Sequence, residues 1–120
     1  MANGNQEFKA IAQYCQNLGS RSDLTNLGVG DDAAILVAPL DKELLVTTDS
    51  MHVGRHFFAD CDPEALGVKL INVNASDIAA MGGQCEWATI SISLASYDES
   101  WIAAFSTGID MAAKFHGIDV

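Results

Sequence analysis

The chain has 120 residues, 49% hydrophobic and 8% aromatic, which suits one domain of modest size with its own core. A net charge of −10 argues against nucleic acid or an anionic membrane as partner, since both ask for basic patches, and it suits divalent cations. No apolar run approaches the ~18 residues of a membrane span, and the polar start from Met1 to Lys9 lacks a signal-peptide apolar run, so a cytoplasmic protein is expected.

Glu7 to Leu18 reads as an amphipathic helix, with Phe8, Ile11, Ala12, Cys15 and Leu18 at helical spacing and Gly19 as its stop. Ser20 to Gly30 is polar and glycine-containing, a loop. Ala33 to Ala38 is an apolar run of strand length, Pro39 to Glu43 a turn, and Leu44 to Asp49 a β-branched partner strand, together an antiparallel hairpin. Ser50 to Cys61 is an irregular loop. Asp62-Pro63 opens a helix, aspartate as N-cap and proline at the first helical position, that runs to about Met81 before Gly82-Gly83. Its apolar stripe is Leu66, Leu70, Val73 and Ala80, which places Asp77 on the inward face.

Glu86 to Leu94 alternates, with Ala88, Ile90, Ile92 and Leu94 on one side and Trp87, Thr89, Ser91 and Ser93 on the other. The second side fits either a surface closed by another subunit or an ordinary half-exposed strand. Ser96 to Glu99 matches a capping box. It opens a third helix with Trp101, Phe105, Ile109 and Ala112 on one face and Gly117 at its end. Ile118-Asp119-Val120 begins a further strand and leaves it unfinished, as a chain cut within a longer protein would. The fold class expected is α+β, a mostly antiparallel sheet with helices on one face.

Acidic groups interrupt these apolar elements at Asp31-Asp32, Asp49, Asp60/Asp62 and Asp77. A buried carboxylate needs a cation, a metal or donors. Hard oxygen ligands from a loop, a strand end and a helix suit Mg²⁺, which keeps several waters and is completed by substrate phosphates. Other readings stand beside this one. Asp31-Asp32 fits a turn that caps an element, Asp49 fits a turn cap, and Asp77 fits a pair with Lys69 or with backbone donors. Asp60 and Asp62 read as loop and N-cap residues. Gly28-Val-Gly30-Asp31-Asp32 is not a P-loop, because no Gly-Lys-Ser/Thr follows. His52 and His56 lie in a loop, where a role in binding substrate or phosphate suits His56. His116 sits at a helix C-terminus, where a partly charged imidazole is favourable. Cys15, Cys61 and Cys85 have no CxxC spacing and read as reduced thiols.

Three ordered segments carry a resemblance that covers nearly the whole chain. Gly28-Val-Gly-Asp-Asp-Ala-Ala34 resembles the glycine–diaspartate motif of the thiamine-monophosphate kinase family. Thr48 to Phe57 resembles its TD-x5-G-x-HF segment, and Asn72 to Gly82 its N-x-SD-x-AAMG helix. The resemblance implies in-line transfer of the ATP γ-phosphate to thiamine monophosphate, giving thiamine diphosphate, in a superfamily shared with aminoimidazole ribonucleotide synthetase. It implies a magnesium set of Asp32, Thr47, Thr48, Asp49 and Asp77, with Asp31 beside it, and His56 as a substrate-binding residue. It also implies N-terminal domains that pair their sheets into a barrel-like homodimer, with the active site facing a C-terminal α/β domain. Two positions depart from the family: His52 replaces a usually apolar residue, and His116 stands where a tyrosine usually contacts the nucleotide. The family's GGDT motif, with a further metal-binding aspartate, would follow Val120, so residues 1–120 are expected to fold, to dimerise and to lack kinase activity alone. The alternatives are another ATP-dependent enzyme of the superfamily, of selenophosphate synthetase or hydrogenase maturation type, and a non-catalytic metal-binding dimerisation module.

Overall fold

A computed structural model describes residues 4–120; Met1 to Asn3, within the polar start, lie outside the described residues. In chain order the elements are α1 (Gly4–Ala10), prolonged by a π-helical stretch (Ile11–Cys15), β1 (Thr25–Leu27), β2 (Ile35–Leu36), α2 (Pro63–Ala80) and α3 (Glu99–His116). The class is α+β, three helices with a two-stranded antiparallel sheet that does not close.

The core lies between α2 and α3. Leu66 and Ile71 of α2 pack with Phe105, Ile109, Ala112 and Ala113 of α3, and Ile118 closes one end. The expected α3 stripe is thus the buried one. Glycine sets how closely the helices meet. A Cβ on Gly67 would stand 2.8 Å from the Ile109 amide nitrogen, and one on Gly108 would stand 2.8 Å from the Glu64 carbonyl carbon. Two helices that cross backbone to backbone exclude side chains from the crossing.

That crossing corrects the expected face of α2. The buried positions are Leu66, Gly67, Ile71 and Ala75, and Asp77 is exposed. Apolarity alone favoured the stripe through Val73 and Ala80. The small residues Gly67 and Ala75 win because they permit the close approach, and the helix turns Asp77 away from α3.

Both long helices are capped by aspartate. Asp62 Oδ1 accepts from the Glu64 amide at 3.1 Å, with Pro63 at the first position as expected. Asp98 Oδ1, not Ser96, caps α3, accepting from the Trp101 amide at 3.1 Å and the Ser100 hydroxyl at 2.7 Å. Gly117 ends α3 at φ 69°, left-handed backbone that glycine adopts without strain.

The first helix also differs from its expected form. It turns π-helical at Ile11, and a wider turn rotates everything after it relative to Phe8. Phe8 is therefore 73% exposed, and of the expected stripe only Leu18 packs against the core. The Tyr14 hydroxyl ties this segment to α3 by donating to Glu99 Oε1 at 2.6 Å. That hydrogen bond is the main reason the Tyr14 pKa is pushed up from 10.0 to about 12. A raised value in the folded state means the tie is complete below about pH 10 and is lost as pH climbs through about 12. Glu99→Gln should move Tyr14 ionisation to lower pH in an ultraviolet titration. An unmoved curve would show that the bond is absent in solution.

The expected hairpin is not formed. Ile35 and Leu36 pair with Leu27 and Thr25, inside the segment read as a loop, and Leu44 to Asp49 forms no strand. Along Glu86 to Leu94 only Trp87 makes a bridge, parallel to Asp119. A strand exists only where backbone donors and acceptors find a neighbour. Alternation reports which side chains share a face and says nothing about that neighbour. Ala88 and Ile90 do pack against the core, whereas Val46 is 82% and Ile92 49% exposed.

The segment after α3 is fastened on both sides. Gly19 pairs with Asp119 antiparallel and Trp87 pairs with it parallel. Asp119 Oδ2 accepts from the Ser22 amide at 3.0 Å and from Thr25 Oγ1 at 2.7 Å. Trp87 Nε1 in turn donates to Thr25 Oγ1 at 3.1 Å, and Ser22 Oγ donates to Glu86.

Candidate metal and nucleotide site

The outward face of α2 is the floor of the site. Lys69, Asn72, Val73, Ser76 and Asp77 recur at three- and four-residue spacing, so they form one stripe. With Asp49 they line an open cleft of about 610 Å³. Thr47, Thr48 and Asp49 also line a broader groove of about 860 Å³, between the segment before Asp49 and the one around Gly83 to Ser91. Asp49 thus stands where the two depressions meet. Its Oδ1 accepts from the Ser50 amide at 2.8 Å, which fixes the carboxylate on its own turn.

Asp31 and Asp32 sit elsewhere, exposed in the β1–β2 connection, which turns at Gly30 with φ 128°. Asp31 Oδ1 accepts from the Asp32 amide at 2.8 Å. Neither lines the cleft with Asp77. Among the described residues no three His, Cys, Asp or Glu side chains converge as a preformed metal cluster. The structure brings Asp49 and Asp77 into one cleft and leaves Asp32 apart. Two exposed carboxylates with neighbouring hydroxyls are hard oxygen donors, and that chemistry fits Mg²⁺ completed by water and phosphate; it does not fit a closed protein cage.

His56 lies in a tight turn beside the cleft. Its amide donates to the His52 carbonyl at 2.9 Å, and its ring Nδ1 accepts from the His52 amide at 2.9 Å. An N–H aimed at Nδ1 requires a lone pair there, so the ring proton is on Nε2. His116 Nε2 lies 2.9 Å from Asn72 Oδ1. It reaches the wall of the cleft through Asn72 and does not line it.

Lys69, Asn72 and Ser76 had no part in the expected site. Their signal was their helical spacing to Asp77, hidden once Asp77 was assigned to the buried face. Lys69 does not pair with Asp77; its Nζ donates to the His56 carbonyl oxygen at 2.5 Å. The three cysteines are free, and burial pushes the Cys15 and Cys85 thiols up, away from thiolate chemistry. No helix among the described residues is long and apolar enough to cross a membrane.

Comparison with known proteins places these features in a wider set. Residues 30–120 match the family described as AIR synthase related protein, N-terminal domain. The thiamine-monophosphate kinase of Escherichia coli is 40% identical over 103 residues, 86% of this chain and 32% of that protein. That of Salmonella typhimurium is 40% identical over 114 residues, 95% of this chain and 35% of that one. The crystal structure of thiamine-monophosphate kinase from Stenotrophomonas maltophilia superposes with a TM-score of 0.76 at 34% identity, over 95% of this chain and 34% of that chain. The chain spans about a third of the length of these relatives.

Proposed function

The chain belongs to the family of AIR synthase related proteins, whose N-terminal domain it matches, and we propose that it is the metal- and nucleotide-binding domain of a thiamine-monophosphate kinase. The observation that carries this reading is the meeting of Asp49 and Asp77, from a loop and a helix, in one open cleft. The names of the relatives and the three motifs supply the substrate: transfer of the ATP γ-phosphate to thiamine monophosphate.

In this reading Asp49 and Asp77, with Thr47, Thr48 and Asp32, hold Mg²⁺. The ion supplies charge neutralisation at the phosphate oxygens, which is most of what phosphoryl transfer asks of a protein. Asp32, in the β1–β2 connection beside Asp31, is included on its motif and stands outside the cleft in this structure. His56 presents its Nε2–H to an acceptor oxygen of thiamine monophosphate. His116 fixes Asn72, and through it the cleft wall beside the nucleotide. A C-terminal α/β domain covers the cleft in the complete cytoplasmic enzyme. The apolar side chains left uncovered, Leu44, Val46 and Ile92 among them, suit pairing with a second copy into a barrel-like homodimer.

The test is an assay for ATP- and Mg²⁺-dependent thiamine diphosphate formation, by the complete gene product and by residues 1–120 in parallel. Product from the long chain and none from the short one is expected. A folded long chain that binds ATP with Mg²⁺ but makes no thiamine diphosphate would move the substrate elsewhere in the superfamily.

A further inference from the structure

Lys69 is a cation in a cleft whose other charged lining groups are Asp49 and Asp77. Simple attraction would turn it toward them. Its ammonium instead donates to the His56 carbonyl at 2.5 Å, thirteen residues back along the chain. The turn it meets is already organised: the Gly54 amide donates to the Phe57 carbonyl at 2.8 Å and the His56 amide to the His52 carbonyl at 2.9 Å. The ring is held by the His52 amide. These bonds all lie within the turn, so they fix its shape and not its place. Met51 and Phe57 seat its two ends on the core. Lys69 is the polar tie between the middle of the turn and α2, the helix that carries Asp77.

We infer that Lys69 is a positioning residue that sets His56 at its working distance from the Asp49–Asp77 cleft, so that substrate is registered against the metal-bound phosphate. This rests on the kinase function proposed above. The geometry supports positioning over direct contact because the ammonium is already committed to a carbonyl. A charge-assisted bond from a helix to a loop backbone restricts the loop without touching substrate. Its neighbours Asn72 and Ser76 are uncharged and cannot replace it.

The experiment has two parts. In the complete gene product, Lys69→Met should raise KM for thiamine monophosphate about tenfold, the size of one lost charge-assisted hydrogen bond, with KM for ATP unchanged. Lys69→Arg, which keeps a donor, should retain most of the affinity. In a His56→Ala background Lys69→Met should add no more than about a twofold loss, because a residue that acts through another is not additive with it. Additive losses, or an equal rise in KM for ATP, would make Lys69 a direct phosphate contact and overturn the inference. The second part needs no turnover. In the 120-residue chain, Lys69→Met should speed hydrogen exchange at the Gly54 and His56 amides by about fivefold, with α3 protection unchanged. Unaltered exchange overturns the tie itself, whereas faster exchange in a chain whose complete form makes no thiamine diphosphate leaves the tie standing and removes the substrate.

Discussion

Gly108→Ala lowers the unfolding free energy by up to about 2 kcal/mol, and Gly108→Val leaves the domain largely unfolded. Helix propensity argues the reverse, since alanine in a helix interior is favoured over glycine by about 1 kcal/mol. The contact decides the sign. A Cβ at Gly108 would fall 2.8 Å from the Glu64 carbonyl carbon and 3.1 Å from its Cα. Those are backbone atoms of the facing helix and cannot swing aside, so the helices must separate. Overpacking of this kind costs about 1–3 kcal/mol for a small group and more for a large one, against a total stability of roughly 5–15 kcal/mol. Urea denaturation of Gly108→Ala, with Thr107→Ala on the exposed side as control, measures it. An alanine variant as stable as the parent would mean that α2 and α3 do not cross this closely.

Asp77→Asn removes turnover while leaving the fold intact. The side chain is exposed, and an isosteric exposed change costs within about 0.5 kcal/mol. Asparagine keeps the shape and one oxygen but loses the negative charge that holds a hard divalent ion. In the complete enzyme kcat/KM should fall about 10²-fold or more, the usual scale for losing an electrostatic group that acts on a transferring phosphate. Asp49→Asn should behave alike, and excess Mg²⁺ should restore part of the activity in both. Full activity in Asp77→Asn at limiting Mg²⁺ would remove that carboxylate from the site.

What could be read from the residues depended on whether the signal was local. The capped start of α2, the buried stripe of α3 and its glycine stop follow from neighbours within a few positions, and all three stand. The pairing of β1 with β2 was not legible, because Ser20 to Gly30 has too little apolar alternation to advertise a strand. Leu44 to Asp49 advertised one strongly but has no partner strand within the described chain. The α2 face failed for a different reason. Gly67 and Ala75 offer little apolar surface, yet they define the contact because they lack bulk. That one error hid the cleft, since rotating the helix carries Asp77, Ser76 and Lys69 outward together. The motif resemblance names Asp49 and Asp77 without reference to burial, because it rests on order and spacing.

The Asp119 carboxylate grips Ser22 and Thr25 across separations of 97 and 94 positions. Such contacts are slow to find, because nearly the whole domain must be threaded into one closed loop before they form. During synthesis Ser22 and Thr25 leave the ribosome well before Asp119 and wait for it. The domain therefore cannot finish folding from its N-terminus as it leaves the ribosome. β1 finds its partner strand β2 locally, but the grip of Asp119 on Ser22 and Thr25 is among the last contacts to form.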